Sequence, residues 1–323
     1  MKRFVSYLLL AAILPAFIFT GCKKDDEKGT FTTLSTYMLD NNLDLPTVLT
    51  EPNNWVTSPS AIVDTTDYSI PSHYVFDIRS AEDFALGHVK GAMNVALGDV
   101  LVKAGEVGKD KPILVICYSG QTAGRAVMAL RLSGYKDAQV MKFGMSYWHS
   151  DFDKWTAKVS DQADGSSNWE TATAATLPVN AYPQWTSGST DGATILGENI
   201  QTMLGASGWA VSSTDVLNDP TSYNIYNFWD QATYESIGHY KGAYLYSTIS
   251  IANDVLQALP TSDQCLIYCY TGQTSSMATA WLQVLGYNAK SIGYGVNSLR
   301  HSALDEAGKP TWHHSLEYTY YTD

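Results

Sequence analysis

A six-residue string that begins with cysteine occurs twice in this chain. The copies read Cys117-Tyr118-Ser119-Gly120-Gln121-Thr122 and Cys269-Tyr270-Thr271-Gly272-Gln273-Thr274. Each cysteine follows an apolar run and precedes a helix-like stretch, so loop amides and the helix start would stabilise an anion on sulfur. The same field is expected to lower the cysteine pKa from its reference of about 8.5. The two strings therefore predict two reactive thiolates.

A second repeated string shows that the whole unit is duplicated. It reads Gly87-His88-Val89-Lys90-Gly91-Ala92 in the first copy and Gly238-His239-Tyr240-Lys241-Gly242-Ala243 in the second. We predict one domain over residues 31–159 and another over 193–323. Residues 160–192 are rich in Ser, Thr, Ala, Asp and Gly, which is typical of a connecting segment.

The elements that must position the cysteines can be predicted from periodicity. Ile113–Ile116 and Cys265–Tyr268 are apolar runs typical of buried strands, and they lead directly into the two strings. Helix-like spacing follows each string, and a short strand with a glycine turn follows each helix. Alternating strands and helices predict an α/β fold with parallel sheets, which bind ligands at the carboxyl ends of their strands.

Taken in this order, these motifs resemble the rhodanese superfamily, in tandem. The matching residues are Asp77-Ile78-Arg79, the glycine-histidine string, the cysteine string continued to Ala123-Gly124-Arg125, and the counterparts in the second copy. The resemblance implies two rhodanese-like domains, each a central parallel β-sheet flanked by helices. It also implies sulfurtransferase activity, in which a cysteine accepts a sulfane sulfur as a transient persulfide and passes it to a thiophilic acceptor, with no other cofactor.

The resemblance assigns roles residue by residue. It makes Cys117 and Cys269 the catalytic residues and Asp77, Arg79, His88 and His239 structural motif residues, the histidines packing their turns rather than acting as bases. The expected substrate-binding residues are Tyr118, Ser119, Gly120, Gln121, Thr122 and Arg125 in the first copy, and Tyr270, Thr271, Gly272, Gln273 and Thr274 in the second. Gly120 and Gly272 would take a positive φ so that the loop curls around sulfur.

The second copy departs from the pattern at three positions. Asn227 replaces Asp77, Trp229 replaces Arg79, and Met277 replaces Arg125. Neither loop contains Lys or Arg, although many thiosulfate enzymes of this family place a cation there. The sulfur donor is therefore left open between thiosulfate and a persulfide.

Three other functions compete with sulfur transfer. Phosphatases and arsenate reductases of the same fold need an arginine to clamp their oxyanion, but Ala123 and Ser275 stand six residues after the cysteines. A non-catalytic module that binds a partner on the cell surface is a second alternative. Redox chemistry at the two thiols is a third.

The N-terminus is typical of a bacterial lipoprotein signal. Basic Met1-Lys2-Arg3 precedes an apolar run to Phe19, and Thr20-Gly21 precedes Cys22. We predict a signal peptide over residues 1–21, a lipid on Cys22, and a tether over 22–30, with a simple secretory peptide as the alternative. This predicts a Gram-negative cell-envelope protein that is lipid-anchored to the outer membrane, and charged residues 23–27 favour surface display.

Charge and cysteine usage limit the partners. The formal net charge of −12 argues against nucleic acid, so we expect a small anionic sulfur compound as partner and membrane contact only through the lipid. The sequence leaves open whether the protein has a protein partner. Cys265 is expected to be a buried apolar residue, and the spacing of Cys and His favours neither a disulfide framework nor a metal site.

Overall fold

Two five-stranded parallel sheets form the centre of the computed structural model, which describes residues 29–322. The first sheet has the order β1-β5-β4-β2-β3 and the second β7-β12-β11-β8-β10, so equivalent strands lie in equivalent places. The first set is β1 (Val56–Thr57), β2 (Tyr74–Asp77), β3 (Met93–Asn94), β4 (Ile113–Ile116) and β5 (Gln139–Met141). The second is β7 (Ala210–Val211), β8 (Asn224–Asn227), β10 (Tyr244–Leu245), β11 (Cys265–Tyr268) and β12 (Ala289–Ile292).

Helices lie around the sheets. In chain order they are α1 (Phe31–Asp40), α2 (Leu45–Thr50), α3 (Ala81–Leu86), α4 (Val100–Val107), α5 (Gln121–Leu132), α6 (Met145–Trp148), α7 (Gly192–Gly205), α8 (Ser213–Asn218), α9 (Gln231–Ile237), α10 (Gln273–Val284) and α11 (His301–Glu306). Short 3₁₀ turns cover Pro59–Ala61, Leu97–Asp99, Ser150–Phe152, Thr156–Lys158, Pro220–Ser222, Ala252–Ala258 and Gly295–Ser298. The predicted α/β fold with two parallel sheets is confirmed, and β4 and β11 have the predicted bounds.

Helices α5 and α10 join the two domains into one core. Every residue of α5 except Thr122 is buried, because the helix packs on its own sheet and also against α10. The crossing is close at Gly124, where an added Cβ would lie 3.3 Å from Ser276 Oγ of α10. The amino ends of both helices, and hence both cysteine loops, therefore meet at the domain interface.

The two ends of the described chain cross to the opposite domain. Helix α1 packs against α7, and the indole N–H of Trp281 in α10 donates to the carbonyl of Leu43 at 2.9 Å. The C-terminal residues return to the first domain, where the Tyr318 amide donates to the Trp148 carbonyl at 3.0 Å. Each domain therefore packs against a terminal segment that belongs to the other domain.

Residues 160–192 pack mainly on the second domain. β6 (Trp169–Glu170) pairs antiparallel with β9 (His239–Tyr240), and Trp185 donates its indole N–H to the Leu285 carbonyl at 3.2 Å. This two-stranded pairing and the packed indole rings of Trp169 and Trp185 hold the segment on the second domain.

The predicted signal peptide, lipidated Cys22 and most of the tether lie outside the described residues and stay predictions. Within residues 29–322, no helix is both long and apolar enough to span a bilayer. Cys265 is fully buried, as predicted, and burial raises its pKa to about 12.

Candidate active site

Cys117 lies directly after β4, at the carboxyl end of the first sheet. Gly120 takes φ +79°, as predicted, and this left-handed turn directs the loop amides toward the sulfur. Cys117 Sγ accepts hydrogen bonds from the amides of Gly120 at 3.1 Å and Ala123 at 3.4 Å. The loop and the first turn of α5 therefore form a cradle of N–H donors for a charged sulfur.

Burial changes the acidity of this thiol. Cys117 is only 6% exposed, and burial raises its pKa above the ordinary value because a thiolate is poorly solvated there. The amides of Ala123, Ser119, Gly120 and Thr122 act in the opposite direction, as the sequence predicted, but their combined effect is smaller. The expectation of a lowered pKa is wrong for Cys117, because sequence spacing shows the donors but not the depth of the thiol.

Cys269 lies in an equivalent loop with a more polar surrounding. Its Sγ accepts the Ser275 amide at 3.3 Å and lies 3.5 Å from Ser275 Oγ. Ser275 Oγ in turn lies 2.8 Å from Ser291 Oγ. Residues Ala123 and Val140 occupy these two places in the first domain, so only Cys269 has hydroxyl groups beneath it.

Two turns that follow β5 and β12 hold the cysteine loops from behind. Met145 donates its amide to the Cys117 carbonyl at 2.8 Å, and Val296 does the same for Cys269 at 3.1 Å. A Cβ on Gly144 would lie 2.2 Å from the Cys117 carbonyl oxygen, and one on Gly295 would lie 2.1 Å from that of Cys269. The sequence showed both glycine turns but gave them no role at the site, and their repetition was the signal that could have revealed it.

The tyrosine ring of each string packs against side chains from outside its loop. Tyr118 lies with its ring centroid 5.2 Å from the Arg79 guanidinium carbon and 5.2 Å from Lys154 Nζ. Burial, followed by Asp83, raises the Tyr118 pKa to about 12. Tyr270 instead stacks on the Trp229 ring at 5.1 Å. Neither tyrosine is among the residues lining the cleft described below.

The two glutamines reach across the domain interface. Gln273 donates its side-chain amide to the Ser119 carbonyl at 3.1 Å, and Gln121 accepts the Tyr294 amide at 2.9 Å through its side-chain oxygen. Each lies against the glycine of the other string: a Cβ on Gly120 would meet Gln273 Nε2 at 1.9 Å, and one on Gly272, where φ is +75°, would meet Gln121 Oε1 at 2.5 Å. Each cysteine loop is thus partly covered by the other domain.

The hydroxyl residues of the two strings are placed differently. Ser119 and Thr271 are buried; Ser119 Oγ accepts from Gln121 Nε2 at 3.1 Å, and Thr271 Oγ1 accepts the Gln273 amide at 3.3 Å. Thr122 and Thr274 are half-buried on the first turns of α5 and α10. Ser119 and Thr122, from the first string, line an open cleft.

Arg125 is fully buried behind the loop. Its Nη2 donates to the Met203 carbonyl at 2.5 Å, and its guanidinium carbon lies 5.2 Å from the Trp209 ring centroid. Its Nε and Nη1 have no hydrogen-bond partner within residues 29–322. Burial lowers the Arg125 pKa to about 10, so the group keeps its positive charge at neutral pH.

Asp77, Arg79 and their counterpart Asn227 make buried polar contacts inside their domains. Asp77 and Arg79 make a buried ion pair at 2.6 Å, and Arg79 also donates to the Gly87 carbonyl at 2.6 Å. In the second domain Asn227 donates to the Tyr268 hydroxyl at 3.0 Å instead.

Both motif histidines are buried and pack on aromatic rings. His88 stacks on Phe84 with centroids 3.9 Å apart, and His239 stacks on Tyr234 at 3.6 Å. Burial lowers the pKa of His239. These contacts agree with the packing interpretation of the sequence.

A cleft of about 530 Å³ lies between the domains beside the first loop. Ser119, Gln121 and Thr122 line one side, and Tyr294 lines the other. Lys158 is the one charged side chain among the lining residues, and no Asp or Glu lines the cleft. Sequence reasoning missed Lys158 and Tyr294, because neither lies in a repeated string.

Comparison with known proteins finds relatives of part of this chain. The Rhodanese-like domain profile matches residues 61–151. The thiosulfate sulfurtransferase GlpE of Shewanella oneidensis is 32% identical over 75 residues, which are 23% of this chain and 74% of that protein. GlpE of Ectopseudomonas mendocina is 32% identical over 91 residues, which are 27% of this chain and 81% of that protein. The uncharacterized protein YqhL of Bacillus subtilis is 31% identical over 74 residues, 23% of this chain and 59% of its own length.

Among solved structures, 3-mercaptopyruvate sulfurtransferase from Leishmania major aligns over 79% of this chain and 79% of its own, with 14% identity and a TM-score of 0.28. The sequence relatives and the two parallel sheets identify the class: this chain belongs to the rhodanese-like family of sulfurtransferases.

Proposed function

We propose that the protein moves a sulfane sulfur from a small anionic donor, thiosulfate or a persulfide, to a thiophilic acceptor through a persulfide on Cys117. The observation that carries this proposal is the position of Cys117 Sγ, which accepts two loop amides at 3.1 and 3.4 Å at the carboxyl end of β4. Cys269 is the second candidate nucleophile, in a loop of the same shape.

The first half-reaction is a displacement at sulfur. The Cys117 thiol gives its proton to solvent, and the thiolate attacks the sulfane sulfur of the donor. A new S–S bond forms on Cys117 while the donor S–S bond breaks. The departing sulfite, or the thiolate of a persulfide donor, takes the bonding electron pair.

The second half-reaction returns the enzyme to its starting state. The acceptor, a thiolate or cyanide, attacks the outer sulfur of the Cys117 persulfide and carries that sulfur away. The bonding electron pair stays on Cys117, which regains a thiolate. Loop amides stabilise this negative charge in both half-reactions without any metal or redox partner.

Because Cys117 is buried, we expect its reaction to depend on the binding energy between the sulfur donor and the protein. Because burial raises the pKa of Cys117, little thiolate is present near neutral pH in the free protein. A bound anion disfavours the thiolate by charge repulsion, so the binding energy of the donor must act by aligning the reacting sulfurs. The half-reaction should therefore accelerate as pH rises toward the Cys117 pKa.

A steady-state assay on the full-length protein tests this proposal. Thiosulfate and glutathione persulfide serve as donors and cyanide as acceptor, with Cys117→Ser, Cys269→Ser and the double variant alongside. We expect Cys117→Ser to lose at least about a hundredfold in kcat/KM, as removal of a nucleophile does. Cys269→Ser is the matched control, because it makes the same change in the equivalent loop of the second domain.

Two outcomes would contradict the proposal. If wild type and double variant transfer sulfur equally slowly from both donors, the protein is not a sulfurtransferase for these compounds and the non-catalytic binding module becomes the better hypothesis. If only Cys269→Ser removes activity, the sulfurtransferase assignment stands and the nucleophile is in the second domain.

A further inference from the structure

The interdomain cleft is lined without acidic side chains, although the molecule as a whole is acidic. The chain carries a formal net charge of −12, yet no carboxylate is found among the residues that line the cleft. Hydroxyl and amide side chains make up most of the lining, and Lys158 supplies its charge. A concave surface with hydrogen-bond donors and one cation is suited to an anion.

Lys158 is available for such a ligand. It is exposed on the 3₁₀ turn Thr156–Lys158, and its Nζ lies 6.0 Å from the Tyr294 ring centroid. Within residues 29–322, no carboxylate lies within ion-pair distance of Lys158. Because no carboxylate lies beside Lys158 and none lines the cleft, its charge is free to meet a ligand.

Tyr294 brings a phenol from the second domain toward the first cysteine. Its ring lies 4.9 Å from that of Trp155, whose indole N–H donates to the Ser119 carbonyl at 3.2 Å. Burial raises the Tyr294 pKa, and the field of Cys117 adds to the effect ahead of that of Asp153. Its hydroxyl has no hydrogen-bond partner in the described part of the chain.

A second cation lies behind the cleft wall. Trp209 lines the cleft, and the uncompensated Arg125 guanidinium lies 5.2 Å from its ring centroid. With two N–H groups unpaired in the described structure, this buried charge is weakly screened and makes the potential near Trp209 more positive.

The cleft adjoins the first cysteine loop rather than the second, although Cys117 itself is not among its lining residues. Ser119, Gln121 and Thr122 line it, whereas none of residues 270–274 does. The equivalent of Tyr294 in the first domain is Phe143, which is buried against Trp155 and Trp312 and has no hydroxyl. The two sites therefore differ in their means of holding an anion.

We propose that this cleft binds the anionic end of the sulfur donor used by Cys117, with Lys158 as its ion-pair partner and Tyr294 as a hydrogen-bond donor contributed by the other domain. This inference rests on the proposed function and deepens it. The cation that the cysteine loop lacks is supplied from outside the loop, so thiosulfate is again an acceptable donor.

The test uses the full-length protein with Lys158→Gln and Tyr294→Phe. For thiosulfate, we expect KM to rise about tenfold for Lys158→Gln and about threefold for Tyr294→Phe, while kcat changes less than about twofold. Lys103→Gln and Tyr135→Phe make the same chemical changes away from the cleft and should leave KM unchanged. A fall in kcat without a change in KM, or equal effects of the controls, would overturn the assignment.

A second readout does not depend on sulfur transfer. Alkylation rates of Cys117 by anionic iodoacetate and neutral iodoacetamide are measured by peptide mass spectrometry, with Cys269 in the same sample as reference. Lys158→Gln should lower the iodoacetate-to-iodoacetamide ratio at Cys117 about tenfold and leave the ratio at Cys269 unchanged. An unchanged ratio at Cys117 would overturn the anion site even in an active enzyme. A lowered ratio in a protein without turnover would support the site and reject the sulfurtransferase.

Discussion

The two cysteine loops share a sequence pattern but not an environment. In both, the cysteine ends a strand, a glycine takes positive φ and a helix begins at the glutamine. Beneath the sulfur, however, Ala123 and Val140 of the first domain give way to the hydroxyls of Ser275 and Ser291 in the second. The repeated string therefore specifies the backbone cradle, and residues outside it decide how polar the sulfur's surroundings are.

The side chains that pack on the two tyrosine rings also differ between the domains. Arg79, paired with Asp77, lies beside the Tyr118 ring in the first domain, while the Trp229 ring takes that place beside Tyr270 in the second. A planar guanidinium and an indole can both stack on a phenol. The stacked contact is present in both domains, but a neutral indole stands in the second where a guanidinium stands in the first. A lysine lies beside each ring, since Lys309 Nζ is 5.6 Å from the Tyr270 centroid.

The largest expected difference between the domains is their response to alkaline pH. Fully buried tyrosines with raised pKa values are concentrated in the second domain. They are Tyr226, Tyr234, Tyr240, Tyr246 and Tyr268. A folded-state pKa above the unfolded value of about 10 means that the stability is fully present below about pH 10 and is lost as pH rises further.

Each such tyrosine should cost about 1.4 kcal/mol of unfolding free energy per pH unit above about pH 10. Urea unfolding at a series of alkaline pH values measures this slope. Tyr246→Phe should remove one tyrosine's share of this slope, because the phenylalanine has no hydroxyl to titrate. An equal slope in wild type and Tyr246→Phe would contradict this prediction.

The next largest effect concerns the buried ion pair of the first domain. Arg79→Met leaves the Asp77 carboxylate buried without its partner, so we expect a loss of about 3–5 kcal/mol in unfolding free energy. The double variant Asp77→Asn with Arg79→Trp installs the pair found in the second domain and should lose less than Arg79→Met alone. Chemical denaturation of the two variants checks the order. A double variant at least as unstable as the single one would mean that the rest of the second domain is needed to accept the indole.

Sequence reasoning succeeded where a feature is local or repeated. The strands leading into Cys117 and Cys269 and the positive φ of Gly120 follow from short patterns, because backbone geometry is set within a few residues. The α/β fold followed from the alternation of such patterns.

Sequence reasoning failed where residues that are distant in the chain contact one another. Gln121 and Gln273 look like loop residues, but they contact the opposite domain because α5 and α10 cross at Gly124. Lys158 and Tyr294 reach the first loop only through that same docking. The raised pKa of Cys117 likewise depends on burial by groups that no single string contains.

The smallest effect separates the two thiols themselves. Ser275→Ala gives Cys269 the alanine that stands beside Cys117, and it removes the hydroxyl 3.5 Å from Sγ. The Cys269 thiol donates its S–H to this hydroxyl, whereas the thiolate can only accept, so the hydroxyl must turn to donate to it. Loss of that donor should cost the thiolate about 0.5–1.5 kcal/mol, so we expect alkylation of Cys269 by iodoacetamide to slow about threefold. Ser291→Ala is the graded control, since it removes only the partner of Ser275 and should slow the reaction less. Cys117, measured in the same digest, should keep its rate. Unaltered reactivity of Cys269 in both variants would show that the hydroxyl pair serves only packing, and that the two cysteine loops present equivalent thiols despite their different surroundings.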